Sequence, residues 1–246
     1  MDLLTSNTKL GKPVPGWSIL GLQLLPGDSA GKGELCPERG ACYASCLAWA
    51  GHGIFPAVRE ARKRRTALLF EQPAVFASML DSELLRATCS AIARAERLAV
   101  RLNVLSDIDW RDHSAVYRVL RRHAAGGVVF YDYTKRLERP DSALYGSPAR
   151  VCYSWSERST VPPAWADWVA AVFADGAENS LPGRLIGWQS AHETMSDGDR
   201  DDLFFLRPRG IQVFRPKGPA RKAREGGLVQ YGARFDVDRP AFKGGL

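Results

Sequence analysis

Short apolar runs, each followed directly by polar residues, recur through the second half of the chain and constrain its fold more than any other feature. Residues 98–105 and 127–131 are two such runs, and residues 114–123 between them have helical spacing. Parallel strands need a long crossover connection, usually a helix, so this order of elements is typical of a parallel sheet. The remaining runs of this kind are residues 150–153, 169–173, 184–188 and 210–214.

Six candidate strands in series predict an α/β fold with a partial or complete β/α barrel of the TIM type. An open doubly wound sheet is the alternative, because several connections are too short for a full helix. Two helices precede these strands. One begins at Pro56 and extends to about residue 70, and the second covers residues 73–97, with apolar residues at helical spacing.

The first 56 residues are rich in residues that interrupt regular structure. They contain nine glycines and five prolines, so long helices or strands are not expected there. We therefore expect one domain of residues 1–246, in which a loop-rich, metal-binding lobe of residues 1–56 precedes an α/β core of residues 57–246.

The charge and hydropathy of the chain predict its cellular location and the class of its binding partner. No apolar run is long enough to span a bilayer and the first residues do not resemble a signal peptide, which predicts a cytoplasmic protein. A net charge of +7 in basic clusters predicts nucleic acid or a phosphorylated nucleotide as partner, a solvated basic surface being the alternative. The residues expected to contact phosphates are Arg59, Arg62, Lys63, Lys217 and Arg221.

Three of the five cysteines crowd into eleven residues, at Cys36, Cys42 and Cys46. In a reducing compartment such clustering favours a metal site over disulfides. Three thiolates supply three corners of a 4Fe–4S cluster with one open iron, or all but one ligand of a tetrahedral zinc ion. His52 is a candidate fourth ligand or a turn residue, and small buried thiols without any metal are the remaining alternative.

Polar residues that follow the predicted strands are the candidates for catalysis, because the loops after the strands build the site in β/α folds. Asn103, Asp107 and Asp109 follow one strand, and either carboxylate is a candidate general base, a cation ligand or a helix cap. Residues 197–202 contain four aspartates and are expected to form an acidic surface turn.

The next predicted strand ends in two tyrosines and a lysine. Tyr131, Tyr133 and Lys135 belong to this group, and alternation along a strand places both tyrosines on one face and Asp132 on the other. Aromatic rings beside a lysine can stack a base and neutralise its phosphate, whereas a tyrosine-lined core with a surface lysine is the alternative.

Several blocks of the sequence resemble phage proteins of the gene product 88 family. They comprise residues 6–12, 24–28, the cysteine cluster, 51–65, 101–110, 130–135, 154–157 and 217–221. The resemblance implies a phage or prophage origin. The Cys-Tyr-Ala sequence at Cys42 is also similar to a second group of phage proteins with radical-SAM-like barrels, although the cysteine spacing here is not Cys-x3-Cys-x2-Cys.

Together these features lead to two hypotheses of different classes. The first is a phage-type iron–sulfur enzyme, of radical-SAM-like character, that acts on nucleic acid or a nucleotide. The second is a non-catalytic nucleic-acid-binding protein in which a structural zinc ion holds the N-terminal lobe together.

Overall fold

A computed structural model of the protein describes residues 1–138, 140–147, 150–156, 158–159, 161–173, 194–217 and 229–230. The helices within these residues are α1 (Ala41–Ala44), α2 (Pro56–Glu71), α3 (Pro73–Ala93), α4 (Ser114–Ala125) and α5 (Ser142–Tyr145). The strands are β1 (Leu4–Thr5), β2 (Trp17–Leu22), β3 (Arg97–Arg101), β4 (Val129–Thr134), β5 (Val151–Ser154), β6 (Trp168–Phe173), β7 (Thr194–Asp197), β8 (Gly210–Phe214) and β9 (Val229–Gln230).

All the described strands belong to one sheet, in the order β1-β2-β3-β4-β5-β6-β8-β7, with β9 paired to the end of β6. Strand β1 runs antiparallel to β2, and the other described pairs are parallel. The predicted α/β class with a mostly parallel sheet is therefore confirmed. Within the described residues no pairing joins β1 to β7, so closure into a barrel stays a prediction. The strand predicted at residues 184–188 lies outside them.

Helices α2, α3 and α4 begin where the sequence predicts them to begin. Helices α2 and α3 start at Pro56 and Pro73, where proline has no N–H to leave unpaired and its fixed φ suits the first turn. Helix α3 ends at Ala93, four residues before β3 begins at Arg97. The predicted crossover from β3 through α4 to β4 is confirmed.

Strand β2 is the main element that the sequence did not predict. It lies inside the glycine-rich and proline-rich segment and pairs with β3 over five residues, so part of that segment belongs to the sheet. Gly21 in this strand does not interrupt it. A Cβ at Gly21 would lie 2.5 Å from Leu10 and 2.6 Å from Val104, so glycine is required by close packing.

The two faces of the sheet pack against different elements. Helix α3 packs on α4 and β3, and Phe76 of α3 shares a core with Val100 and Phe130. On the opposite face Tyr131 and Phe204 belong to a second core. Full burial of such side chains stabilises the fold by about 1.5–3 kcal/mol each.

Because the strands are parallel, their carboxyl ends lie at one edge of the sheet, and the loops that follow them meet there. In the part of the chain that the structure describes, no helix is both long enough and apolar enough to span a membrane.

Candidate functional site at the carboxyl ends of the strands

A cavity of about 1120 Å³ lies at the carboxyl edge of the sheet. Its walls include Gln23 after β2, Asn103 after β3, Lys135 after β4, Trp155 after β5 and Arg215 after β8. The loop-rich N-terminal segment supplies the remaining wall. The volume is large enough for a ligand of nucleotide size.

Cys36 lies on the cavity wall, at the end of a loop whose shape depends on glycine. Gly27 has a φ of +58°, and a Cβ there would lie 2.5 Å from Arg39 and 2.6 Å from the ring of Tyr43. Only glycine adopts this positive φ without strain and leaves the space that Arg39 and Tyr43 occupy. The N–H of Leu35 donates to the carbonyl of Gly27 at 3.0 Å and closes the loop.

Two further contacts attach this loop to its surroundings. Arg39 donates two hydrogen bonds to the carboxylate of Asp28, at 2.7 and 3.1 Å. The N–H of Asp107 donates to the carbonyl of Leu35 at 2.7 Å, which joins the loop to the segment after β3. The ion pair is partly exposed and contributes little free energy, so its effect is to fix the position of Cys36.

The three clustered thiols, Cys36, Cys42 and Cys46, are half-buried and line the same cavity. Two of the sulfur atoms accept backbone hydrogen bonds: the N–H of Gly27 donates to Sγ of Cys36, and the N–H of Ala48 donates to Sγ of Cys46, both at 3.4 Å. Hydrogen bonds of this kind stabilise thiolates in metal centres.

Burial raises the pKa of two of these thiols, Cys36 and Cys46. Burial raises the pKa of Cys36 to about 12 and outweighs the hydrogen bond from Gly27, which lowers it, while Asp107, Cys46 and Cys42 add smaller upward contributions. In the described residues no group of three or more His, Cys, Asp or Glu side chains is arranged as a metal-ligand set.

His52, the candidate fourth ligand, lies on the same cavity wall. Its side chain is exposed and its ring stacks on Phe55 with a centroid distance of 5.6 Å. Nothing in this arrangement holds the imidazole against the cysteines.

Lys135 and Asp107 lie next to the thiols. Burial disfavours the charged form of Lys135, but Cys42, which also hydrogen-bonds it, and Asp107 outweigh burial and raise the pKa of the lysine. Asp107 accepts hydrogen bonds from the hydroxyl of Thr134 at 2.7 Å and from the N–H of Lys135 at 2.9 Å. Burial nevertheless raises the pKa of Asp107. The cavity therefore contains an ammonium, a carboxyl and thiols within one small region.

Asn103 holds the loop that carries Asp107. Its backbone N–H and its amide both donate to Asp132, at 2.9 and 2.8 Å, and Tyr145 donates to the same carboxyl at 3.0 Å. The amide oxygen of Asn103 accepts from Ser106 at 2.8 Å. Burial raises the pKa of Asp132 to about 7.

The predicted alternation along β4 is confirmed. Tyr131 and Tyr133 pack in one core, on the face opposite the one where Asp132 meets Tyr145. Tyr133 lines the cavity. Tyr131 is fully buried and donates to Asp202 at 2.8 Å, so its hydroxyl supports that carboxylate.

A buried charge cluster forms the wall of the cavity beside Tyr133. Asp202 is 0% exposed and accepts from Lys9 at 2.8 Å and from Arg101 at 3.3 Å. Burial alone would raise the pKa of Asp202, but Arg101 and Lys9 outweigh it and lower the pKa to about 2. The guanidinium of Arg101 also stacks 4.4 Å from the ring centroid of Tyr133. The cluster has one more positive charge than negative charge.

The sequence did not identify this cluster. Residues 197–202 were expected to form an acidic surface turn, and for Asp202 this was wrong, because Lys9, Arg101 and Tyr131 enclose it. The available signal was the agreement of residues 6–12 and 101–110 with family blocks, which contain Lys9 and Arg101.

The residues predicted to contact phosphates differ in exposure and do not form one surface. Arg59 and Lys63 are exposed on α2, whereas Arg62 points inward and is buried, so it does not share their exposed surface. Lys217 lies at the rim of the cavity. Arg221 lies outside the described residues.

Two of the predicted residues have local partners. Asp109 caps the short 3-10 turn Trp110–Asp112 by accepting from the N–H of Arg111 at 2.9 Å, which is the capping alternative considered for this carboxylate. It lines a separate small pocket. Lys217 pairs with Asp199 at 2.6 Å.

In a comparison with protein families, residues 1–231 match the model described as gene product 88. No curated protein and no solved structure shows significant similarity to the chain. Because the match covers nearly the whole sequence, the chain belongs to the gene product 88 family of phage proteins.

Proposed function

We propose that the protein is an iron–sulfur enzyme that holds a 4Fe–4S cluster through Cys36, Cys42 and Cys46 and acts on nucleic acid or a nucleotide. The observation that carries this proposal is that all three cysteines line the same large cavity as the residues after the strands. A metal centre at that position would lie where β/α folds place their chemistry.

The donor set fits a soft metal centre. Three thiols line one cavity, two of them accept backbone N–H bonds, and a cation is adjacent at Lys135. Metal binding releases the thiol protons, and Lys135 would balance the negative charge of the resulting thiolates. Rotation of these half-buried side chains would be needed to complete the ligand set.

Three protein ligands leave one coordination position free for substrate or cofactor. When bound, a cluster of this kind supplies electron transfer and an open iron. Asp107 is then the group that holds or releases a proton beside the thiols, since burial raises its pKa. In its most specific form, the proposal is that the fold is a β/α barrel and that the reaction is radical-SAM-like.

The charge of the cavity supports an anionic substrate. Among the described residues that line it, nine are lysine or arginine and four are aspartate or glutamate. Tyr133, with Arg101 stacked on its ring, offers a surface for a base, and Lys9 and Arg101 offer cations for its phosphate. We place this activity in the host cytosol, where reducing conditions keep the cysteines available.

The rival proposal is a non-catalytic nucleic-acid-binding protein with a structural zinc ion. It is favoured by the position of His52 on the same wall and by the exposed Arg59 and Lys63 on α2. A structural ion would close the coordination sphere and hold the N-terminal segment together.

Purification without oxygen separates the two proposals. Brown protein that contains iron and acid-labile sulfide supports the enzyme, and colourless protein with one zinc per chain supports the rival. Protein that contains neither metal after expression with both supplied would refute both.

A further inference from the structure

Arg62 is a buried cation that lacks an anionic partner among the residues that the structure describes. The residue is 8% exposed, and its Nη2 donates to Oε1 of Gln23 at 3.1 Å. The Nε and Nη1 atoms are buried and have no hydrogen-bond acceptor in the described part of the chain. The titratable groups that act on it are Cys46 and the like-charged Arg65. A buried guanidinium without a counter-charge and with unpaired N–H groups strongly lowers the stability of the fold.

The surrounding structure holds Arg62 in this position. The hydroxyl of Thr66, one turn further along α2, donates to the carbonyl of Arg62 at 2.9 Å and accepts from the N–H of Leu25 at 3.0 Å. Gln23 is also fixed, because its amide donates to Thr5 at 2.9 Å. The helix is thus docked on the segment after β2 with Arg62 at the contact.

The free donors of Arg62 belong to a side chain that lines the large cavity, together with Cys46. Both free N–H groups are closed to water in this conformation, so the side chain must turn towards the cavity for them to reach a partner there. An oxyanion in the cavity then accepts their hydrogen bonds and also compensates the charge, since guanidinium groups form charge-assisted hydrogen bonds to phosphate and carboxylate oxygens.

We propose that Arg62 is an oxyanion-binding residue that holds the phosphate or carboxylate group of the ligand in the cavity, beside the cysteine cluster. This inference rests on the proposed function only for the identity of the ligand beyond its phosphate or carboxylate group. The site itself is defined by the two free buried donors of Arg62 and by the wall that it shares with Cys46.

The test compares Arg62→Met with Lys63→Met, because both substitutions remove one positive charge from neighbouring positions on α2, one buried and one exposed. Thermal unfolding of the full chain is followed with inorganic phosphate, adenosine monophosphate or succinate, at constant ionic strength. We expect phosphate compounds or succinate to raise the Tm of wild type and Lys63→Met, and not that of Arg62→Met. Which compounds do so distinguishes a phosphate from a carboxylate ligand.

Without any added anion, Arg62→Met should unfold at the same temperature as wild type or higher, because it removes an uncompensated buried charge. A clear drop in Tm would instead mean that Arg62 stabilises the fold through internal partners, and would overturn the inference. An anion-dependent rise that persists in Arg62→Met, or no rise in wild type with any of the three compounds, would overturn it too.

A second readout does not depend on the stability of Arg62→Met. The ¹⁵N-resolved Nε–H resonance of Arg62, recognised by its absence in Arg62→Lys, should shift saturably with the same compound, and an unchanged resonance would contradict the proposal. Both measurements report anion binding and not catalysis. A protein without metal would therefore refute the iron–sulfur proposal while leaving this result unaffected.

Discussion

Replacing Asp202 by asparagine should destabilise the protein strongly, because this carboxylate neutralises the buried charge cluster. Asp202 is fully buried and holds Lys9 at 2.8 Å, Arg101 at 3.3 Å and the hydroxyl of Tyr131 at 2.8 Å. Its removal leaves two cations in the interior without a counter-charge, which costs about 3–5 kcal/mol.

The pKa of Asp202 gives a second route to the magnitude. The folded value is about 2 and the ordinary value is 3.8. A difference of about 1.8 units corresponds to about 2–3 kcal/mol of stability. Because the folded pKa is the lower one, this contribution is fully present above about pH 4 and is lost as the pH falls towards 2.

Urea unfolding at neutral pH measures the effect, with Asp81→Asn as the matched control. Asp81 also has two side-chain partners, Arg122 and His123, but it lies on the surface, so its loss should cost no more than about 1 kcal/mol. We expect Asp202→Asn to lower the free energy of unfolding by about 3 kcal/mol or more. A loss no larger than that of Asp81→Asn would refute the account of the cluster.

Two further substitutions test residues that support the site. Burial raises the pKa of Asp132 to about 7, so wild type should lose stability as the pH rises from about 4 to 7, by up to about 4 kcal/mol, and Asp132→Asn should flatten this slope. Equal slopes in urea titrations of both proteins would contradict the raised pKa. Gly27→Ala should cost about 1–3 kcal/mol, since alanine is strained at a φ of +58° and its Cβ would meet Tyr43. It should also lower metal content by displacing Cys36, whereas Gly31→Ala, which is strained but meets no neighbour, should lower stability and retain metal.

Local patterns in the sequence were sufficient for much of the fold. Proline at the first turn marked the starts of α2 and α3, and alternation along β4 separated Tyr131 and Tyr133 from Asp132. These features depend on neighbours in the chain. Strand β2 was missed because its pairing partner is β3, far along the chain, and because Gly21 serves packing and not a turn.

The candidate site was predicted less completely, for reasons of tertiary structure. Asp107 and Lys135 could be placed at one edge because strand ends in a parallel sheet converge, and spacing alone singled out the cysteines that line the same cavity. Asp202 was taken for a surface residue, since its contact with Arg101 joins residues 101 positions apart. The inward direction of Arg62 follows from the docking of α2 on Gln23, which helical periodicity in a basic segment does not reveal.

The metal content of five cysteine variants, purified without oxygen, tests the central claim most directly. Cys36, Cys42 and Cys46 line the cavity, while Cys89 is exposed on α3 and Cys152 is buried in the sheet, where alanine is the gentler replacement. We predict that Cys36→Ser, Cys42→Ser and Cys46→Ser each lose iron and sulfide, and that Cys89→Ser and Cys152→Ala retain the wild-type amounts. Equal metal content in all five variants would contradict a metal centre at the three clustered cysteines.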